Sequence, residues 1–168
     1  MKIELKRLKH RPNEGAEFFF EEAGRDEFLA DMEGRFLSPI KVEFRVDNTG
    51  KILAGYGRIR TVLELSCSRC LEKISLPLDV QLFLNMIESC YQNDFSPDED
   101  FVFFEDDEVD LWPYVEAAIF LNIPLVALCK PDCRGLCPVC GINRNTDECH
   151  CEQKEIDPRW EKLKKLKG

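Results

Sequence analysis

The 168-residue sequence has no apolar run that approaches the roughly 20 residues of a transmembrane helix. Residues 1–10 are charged throughout and have no apolar stretch of the kind that a secretory signal carries, so we expect no such signal. These absences predict a cytoplasmic protein without a membrane partner, in a compartment where thiols stay reduced. The nine cysteines are therefore interpreted as metal ligands before disulfides.

The sequence also lacks a glycine-rich phosphate-binding loop and a set of serine, histidine and aspartate suited to hydrolysis. These absences favour a non-enzymatic protein without a small-molecule substrate. The acidic run at 105–110, with Asp106 and Asp107, leaves an alternative open: a metal-dependent RNA-processing hydrolase. Runs of acids are more often solvated surface, so this alternative is the less favoured one.

Basic residues are missing from residues 85–110, which we call the acidic segment. The formal net charge is −9, whereas the chain outside this segment is close to neutral. The segment is interpreted as a solvated loop or as a docking surface for a basic partner. Both ends of the chain are basic, and they offer another route, contact with RNA phosphates. These basic residues are Lys2, Lys6, Arg7, Lys9 and Arg11, and Lys154, Arg159, Lys162, Lys164 and Lys165.

Alternating apolar and polar residues indicate β-strands with one buried face. The pattern is clearest from residue 40 to Asp47, where a turn follows, and again up to Leu65 and from Ile74 to Met86. Gly55 and Gly57 interrupt the middle strand and suggest a bulge or bend. Weaker strand signals lie at residues 1–11, 17–21 and 101–104, and residues 26–33 suggest a helical turn.

Helical spacing is confined to a few segments. Residues 111–122 predict one helix that Pro124 ends, with Asp110 as its N-cap. Residues 156–166 predict a short basic helix. The fold class is therefore α+β: a mainly antiparallel sheet, curved or closed as a partial barrel, with one packed helix and a small Cys-rich module. We expect a β-rich domain at 1–124, a metal-binding module at 125–153 and a basic tail at 154–168.

Six of the nine cysteines lie between residues 129 and 151. Cys137 and Cys140 have the spacing of a metal knuckle, and Gly141 supplies a backbone free to adopt positive φ and turn an N–H toward a thiolate. Cys149 and Cys151 follow after a short loop. The simplest prediction is one zinc ion held by Cys137, Cys140, Cys149 and Cys151.

A second Cys-x-x-Cys, Cys67 and Cys70, lies at the tip of a predicted hairpin. A second metal site could join this pair to Cys129 and Cys133. The rival grouping is Cys129, Cys133, Cys137 and Cys140. Cys90 is expected to be a packed or loop thiol, and His150 to face solvent.

Four thiolates close the coordination shell of zinc and leave no place for a catalytic water, so such a site is structural. One site of this kind would lower the net charge to about −11, because the ligating thiols are ionised. A rubredoxin-like iron or redox module is the remaining alternative, and visible absorbance distinguishes it from colourless zinc.

Taken together, these motifs resemble the YceD family, the large ribosomal RNA subunit accumulation proteins. The resemblance covers roughly residues 40–165 and is most specific in the cysteine block. The matching stretches are residues 67–72 (CSRCLE), 109–111 (VDL) with the helix that ends at Pro124, 128–141 (LCKPDCRGLCPVCG) and 157–159 (DPR).

This resemblance implies a bacterial-type cytosolic protein that supports accumulation of 23S rRNA and biogenesis of the large ribosomal subunit. Its partners would be components of the pre-ribosomal large subunit, ribosomal protein, 23S rRNA or both. The resemblance does not imply a molecular activity.

Overall fold

A computed structural model describes residues 1–95 and 100–151. Within them the chain forms eight β-strands, two 3-10 helices and one α-helix. The strands are β1 Lys2–Glu4, β2 Gly15–Glu22, β3 Arg35–Phe36, β4 Ile40–Asn48, β5 Leu53–Ser66, β6 Lys73–Glu88, β7 Phe101–Phe104 and β8 Glu108–Asp110. The 3-10 helices are Asp26–Met32 and Ser89–Asp94, and the α-helix, α1, is Trp112–Asn122.

Six strands form one sheet in the order β2-β4-β5-β6-β7, with β3 beside one end of β5. The long hairpin of β5 and β6 is its centre, since all of β5 pairs with β6. In the described part of the chain the sheet is open, with β2 and β7 at its edges. The prediction of a mainly β protein with few helices is confirmed, but no partial barrel is seen among these residues.

The core lies on one face of this sheet, as the alternation predicts. Alternate residues of β4, from Ile40 to Val46, are buried, and so are those of β6 from Val80 to Met86. Trp112, Val115 and Ile119 of α1 are buried on the same side, where α1 packs against β6. Burying such side chains contributes about 1.5–3 kcal/mol each.

Two glycines of β5 leave room for an aromatic ring and do not form a bulge. The ladder of β5 continues through Gly55 and Gly57 without interruption on both sides. A Cβ at Gly55 would lie 2.4 Å from Cζ of Phe44, and one at Gly57 would lie 2.7 Å from Cδ2 of the same ring. The predicted bulge was therefore wrong, because the close approach is to a side chain of β4.

At the acidic segment one local prediction was accurate and one was not. Strand β7 is an edge strand, as expected, and it runs parallel to β6. Asp110 belongs to β8 and precedes the helix cap, which is Leu111, although its Oδ1 still accepts from the N–H of Trp112 at 3.0 Å. The predicted helix at 156–166 lies outside the described residues.

A small second sheet joins the start of the chain to the acidic segment. β1 pairs antiparallel with β8, and the buried side chains of Ile3 and Leu5 enter the main core. No helix of the described residues is long and apolar enough to cross a membrane.

We expect Gly55→Ala to destabilise the fold by about 1–3 kcal/mol, because the added methyl group overlaps the ring of Phe44. Urea unfolding of the purified protein measures this cost. The same substitution in a Phe44→Leu background is the control, and there it should cost clearly less. An equal cost in both backgrounds would show that the ring is not the obstacle.

Candidate metal centres

Eight cysteines gather into two groups of four. Within each group the sulfur atoms lie within 4.8 Å of one another. We call Cys67, Cys70, Cys129 and Cys133 the inner cluster, and Cys137, Cys140, Cys149 and Cys151 the outer cluster. Each could hold a metal ion. The rival grouping of Cys129, Cys133, Cys137 and Cys140 is divided between the two clusters.

The sulfur spacings match a tetrahedral site and not a set of disulfides. In the inner cluster Cys67 and Cys133 are 3.8 Å apart, and Cys70 and Cys129 are 3.5 Å apart. In the outer cluster Cys149 lies 3.3 Å from Cys137 and 3.6 Å from Cys140. A Zn–S bond of about 2.3 Å in tetrahedral geometry requires sulfurs about 3.8 Å apart, whereas a disulfide requires about 2.05 Å.

The inner cluster joins two parts of the chain that are distant in sequence. Cys67 follows directly on β5, and the tight turn to β6 places Cys70 beside it, with the N–H of Leu71 donating to the Cys67 carbonyl at 2.9 Å. Helix α1 then returns the chain to this turn, where the N–H of Ser68 donates to Ala127 at 2.8 Å. Cys67, Cys70 and Cys133 are buried.

Backbone and amide donors surround the inner sulfurs. Burial disfavours the thiolate of Cys67, but N–H groups of Arg69, Cys70 and Cys129 outweigh it and lower the pKa of Cys67 to about 6. Burial likewise opposes ionisation of Cys133, and the Asn145 amide and the Gly135 N–H lower its pKa overall. These donors are suited to thiolates, the form that binds metal.

The other inner thiols hold their protons more tightly in the absence of a metal. The N–H of Glu72 favours the thiolate of Cys70, but burial and the neighbouring sulfurs raise its pKa to about 12. Burial raises the pKa of Cys129. A bound cation would reverse this effect, because it replaces the repulsion between thiolates by attraction to one ion.

The outer cluster is a knuckle on a short loop. The N–H groups of Cys140 and Val139 point to the sulfur of Cys137 and lower its pKa to about 6. Gly141 has φ of +75°, as predicted, but its N–H donates to the Cys137 carbonyl at 2.9 Å and not to a thiolate. Cys140 and Cys151 are exposed, and the neighbouring sulfurs of Cys149 and Cys140 raise the pKa of Cys151 to about 12.

Asparagines missed by the sequence reasoning connect the outer loop to the inner cluster. The Asn145 amide donates to Sγ of Cys133 at 3.4 Å and to Oδ1 of Asn143 at 2.8 Å. Asn143 in turn donates to Glu72 beside the hairpin tip at 2.9 Å. Contacts of this kind orient ligands around a metal. No motif of the sequence singles out these two residues.

Gly135 allows the chain to pass close to the hairpin tip. It has φ of +71°, and a Cβ there would lie 3.0 Å from the carbonyl oxygen of Arg69. The N–H of Leu136 donates to that same oxygen at 3.0 Å, and Arg69 donates to the Cys133 carbonyl at 2.9 Å. The loop and the hairpin tip are therefore held together by contacts beyond the sulfurs.

Cys90 and His150 take no part in either cluster. Both are exposed, Cys90 on the 3-10 helix after β6 and His150 between two outer cysteines, as the sequence reasoning expected of the histidine.

Several acids of the acidic segment are paired with basic residues from other parts of the chain. Lys9 contacts both Glu88 and Asp107, and these hydrogen bonds raise the pKa of Lys9 and lower that of Asp107. Lys9 belongs to the basic residues predicted to contact RNA, and Glu88 and Asp107 belong to the predicted docking surface for a basic partner. These ion pairs therefore neutralise charges that both predicted routes would use. Further pairs among the described residues are Lys2–Glu108, the amino terminus with Asp110, and Lys51–Asp94. The basic residues after Cys151 lie outside the described residues.

We expect the metal-loaded protein to lose stability as the pH falls from neutral through about 6, because protons then compete with the metal for its thiolate ligands. The pKa values of Cys67 and Cys137 in the folded protein are about 6, against about 8.5 for a free cysteine, so the fold favours their thiolates. This contribution to stability is present above the unfolded pKa and is lost as the pH falls through 6. Thermal unfolding at a series of pH values, with a metal-sensitive dye in solution, measures the loss of stability together with release of the ion, and Cys90→Ser should behave as the wild type. An unfolding temperature that stays constant through pH 6 with the metal retained would contradict the prediction.

The model of the YceD family, described as large ribosomal RNA subunit accumulation protein YceD, matches residues 55–167. This range includes both clusters and two thirds of the chain. A chloroplastic YCED homolog 1 of Zea mays, named as a large ribosomal RNA subunit accumulation protein, is 28% identical over 162 residues, 78% of this chain and 53% of its own length.

Two bacterial relatives match over nearly the whole chain. An uncharacterised protein of Mycobacterium tuberculosis is 29% identical over all of this chain and 82% of its own length. The uncharacterised protein YlbN of Bacillus subtilis is 26% identical over 99% of this chain and 96% of its own length. No solved structure shows a significant match. Because the match covers most of β5 together with β6, α1 and both cysteine clusters, this chain belongs to the YceD family.

Proposed function

We propose that this protein is a non-enzymatic cytoplasmic factor that supports accumulation of 23S rRNA and assembly of the large ribosomal subunit. Membership of the YceD family carries this proposal, together with the names of the plant relatives. Its partners are components of the pre-ribosomal large subunit, and it acts on no small-molecule substrate.

We propose further that each cluster holds one Zn²⁺ ion. Cys67, Cys70, Cys129 and Cys133 would bind one ion, and Cys137, Cys140, Cys149 and Cys151 the other. Four thiolates suit zinc and fill its tetrahedral shell, so neither ion keeps a position for a reactive water. The ions would therefore be structural, and the sulfur spacings support this role.

Zinc would replace a hydrophobic core in the carboxyl-terminal module. From residue 123 to residue 151 the only buried residues are Ala127, Cys133, Gly135 and Cys137, which is too little apolar area to fold such a segment. Structural zinc contributes about 10–16 kcal/mol of apparent binding free energy, which is ample. Metal binding would thus fold the predicted module at 125–153 and attach it to the β5–β6 hairpin.

The two alternative functions, a metal-dependent hydrolase and a rubredoxin-like module, require different metal sites. A Mg²⁺-dependent hydrolase that uses Asp106 and Asp107 would need free carboxylates, and Asp107 is bonded to Lys9 at 2.7 Å. A rubredoxin-like module would hold iron in one cluster and colour the protein. Purified protein without visible absorbance and without metal-dependent RNA cleavage excludes both.

We expect the purified protein to contain two zinc ions per chain. Cys67→Ser/Cys70→Ser and Cys140→Ser/Cys149→Ser should each leave one ion, because each removes two ligands of one site. Cys67→Ser/Cys70→Ser should also lower the unfolding temperature more than Cys140→Ser/Cys149→Ser does, since the inner cluster joins distant parts of the chain. Elemental analysis and thermal unfolding measure both effects, with Cys90→Ser as the control that keeps two ions. Fewer than two zinc ions in the wild-type protein, or the loss of both ions from either double variant, would contradict two independent sites.

Cells that lack this protein should accumulate less 23S rRNA relative to 16S rRNA. The wild-type gene and Cys90→Ser should restore the ratio, whereas Cys67→Ser/Cys70→Ser should not, because its carboxyl-terminal module is detached from the sheet. Quantitative RNA measurement during growth reads out the ratio. An unchanged ratio in cells without the protein would contradict the proposed function itself.

A further inference from the structure

Three large aromatic side chains lie on the solvent-facing side of the six-stranded sheet. They are Phe19 of β2, Tyr56 of β5 and Phe83 of β6, with exposed fractions of 71%, 51% and 63%. Tyr56 and Phe83 are directly opposite across the strands, with ring centroids 5.8 Å apart in an edge-to-face arrangement. All three line a depression of about 1030 Å³. We call this surface the outer face. Grouped exposed rings of this kind mark interaction sites, whereas single ones do not.

The arginines between these rings are already engaged by carboxylates. Arg58 contacts Asp79 at 2.6 Å, and Arg60 is bonded to Glu43. Arg45 lies 3.0 Å from Asp47 and 3.7 Å from Glu17. Cations and anions therefore alternate across the depression, and no excess of positive charge is left on it.

The lack of excess positive charge on the outer face argues against RNA as its partner. Aromatic rings on a sheet are also used to stack the bases of single-stranded RNA, but such surfaces add a positively charged groove for the backbone. On the outer face a phosphate would have to displace a carboxylate from an arginine and would then meet the displaced charge. Affinity for nucleic acid rests on unpaired Lys and Arg, so RNA is disfavoured here.

We propose that the outer face docks a basic polypeptide segment that carries aliphatic or aromatic side chains between its lysines and arginines. The apolar side chains of the partner pack on Tyr56 and Phe83. Its cations approach the exposed ring of Phe19 and the carboxylate of Glu17, whose 3.7 Å contact with Arg45 is longer than those of Arg45 with Asp47 and of Arg58 with Asp79. The net charge of −9 attracts such a partner from a distance, and two zinc-thiolate sites would lower it to about −13.

The choice of probe rests on the proposed function, because the large ribosomal subunit supplies many basic proteins. Purified large-subunit ribosomal proteins are tested one by one for binding to the full-length, zinc-loaded protein, alongside single-stranded fragments of 23S rRNA. Tyr56→Ser/Phe83→Ser removes two rings of the outer face. Leu121→Ser/Leu125→Ser removes two apolar side chains that are even more exposed, at the end of α1 and after it, and is the control.

We expect at least one ribosomal protein to bind the wild type and the control equally, and to bind Tyr56→Ser/Phe83→Ser at least about tenfold more weakly. Glu17→Lys should weaken the same complex, since it adds a like charge to the face. Thermal unfolding shows that the variants are folded. Equal binding to all variants, or no binding of any ribosomal protein, overturns the proposal. The proposal is also overturned if the protein binds RNA and this binding is strengthened by Glu17→Lys and abolished by Tyr56→Ser/Phe83→Ser.

The same variants separate this inference from the proposed function. Normal 23S rRNA levels in cells that lack the protein would refute the function and leave a measured protein complex intact. Reduced 23S rRNA in those cells, with full binding and full complementation by Tyr56→Ser/Phe83→Ser, would refute the docking role of the outer face alone.

Discussion

The meeting of Cys67 and Cys70 with Cys129 and Cys133 is the contact on which the carboxyl-terminal part of the described fold depends. Between residue 123 and residue 151 few apolar side chains are buried, so this segment cannot form a core of its own. The hairpin of β5 and β6 presents two sulfurs at its tip, and α1 returns the chain so that two more arrive beside them. The donors to these sulfurs, from Arg69, Cys129 and Asn145, are arranged for thiolates, and a bound cation would stabilise thiolates so close together.

The two clusters differ in a way that follows from their positions. The inner one is mostly buried and is made by two segments about 60 residues apart in the chain, so closing it fixes the tertiary structure. The outer one is built from a single loop, and two of its cysteines are exposed. Asn143 and Asn145 donate hydrogen bonds to Glu72 and to Sγ of Cys133, which anchors the loop beside the hairpin tip. The sheet supplies the fixed platform on which both are mounted.

Much of this arrangement could be predicted from local sequence patterns. Period-two alternation located β4, β5 and β6, and the close cysteine pairs, one of them a Cys-x-x-Cys in each cluster, located the two halves that meet there. The patterns failed where a contact joins distant residues. Gly55 and Gly57 suggested a bulge because the ring of Phe44 on the neighbouring strand is invisible in the local sequence. The acidic segment suggested free charge because nothing local shows that Lys9 lies against Glu88 and Asp107.

Zinc K-edge X-ray absorption of the purified, full-length protein tests the central claim most directly, because it counts and identifies the atoms bonded to the ion. The account predicts a shell of four sulfur atoms per zinc at about 2.3 Å, with no lighter ligand. A nitrogen or oxygen atom in the first shell, or fewer than four sulfurs per ion, would contradict closed four-thiolate sites and with them the structural role proposed for the metal.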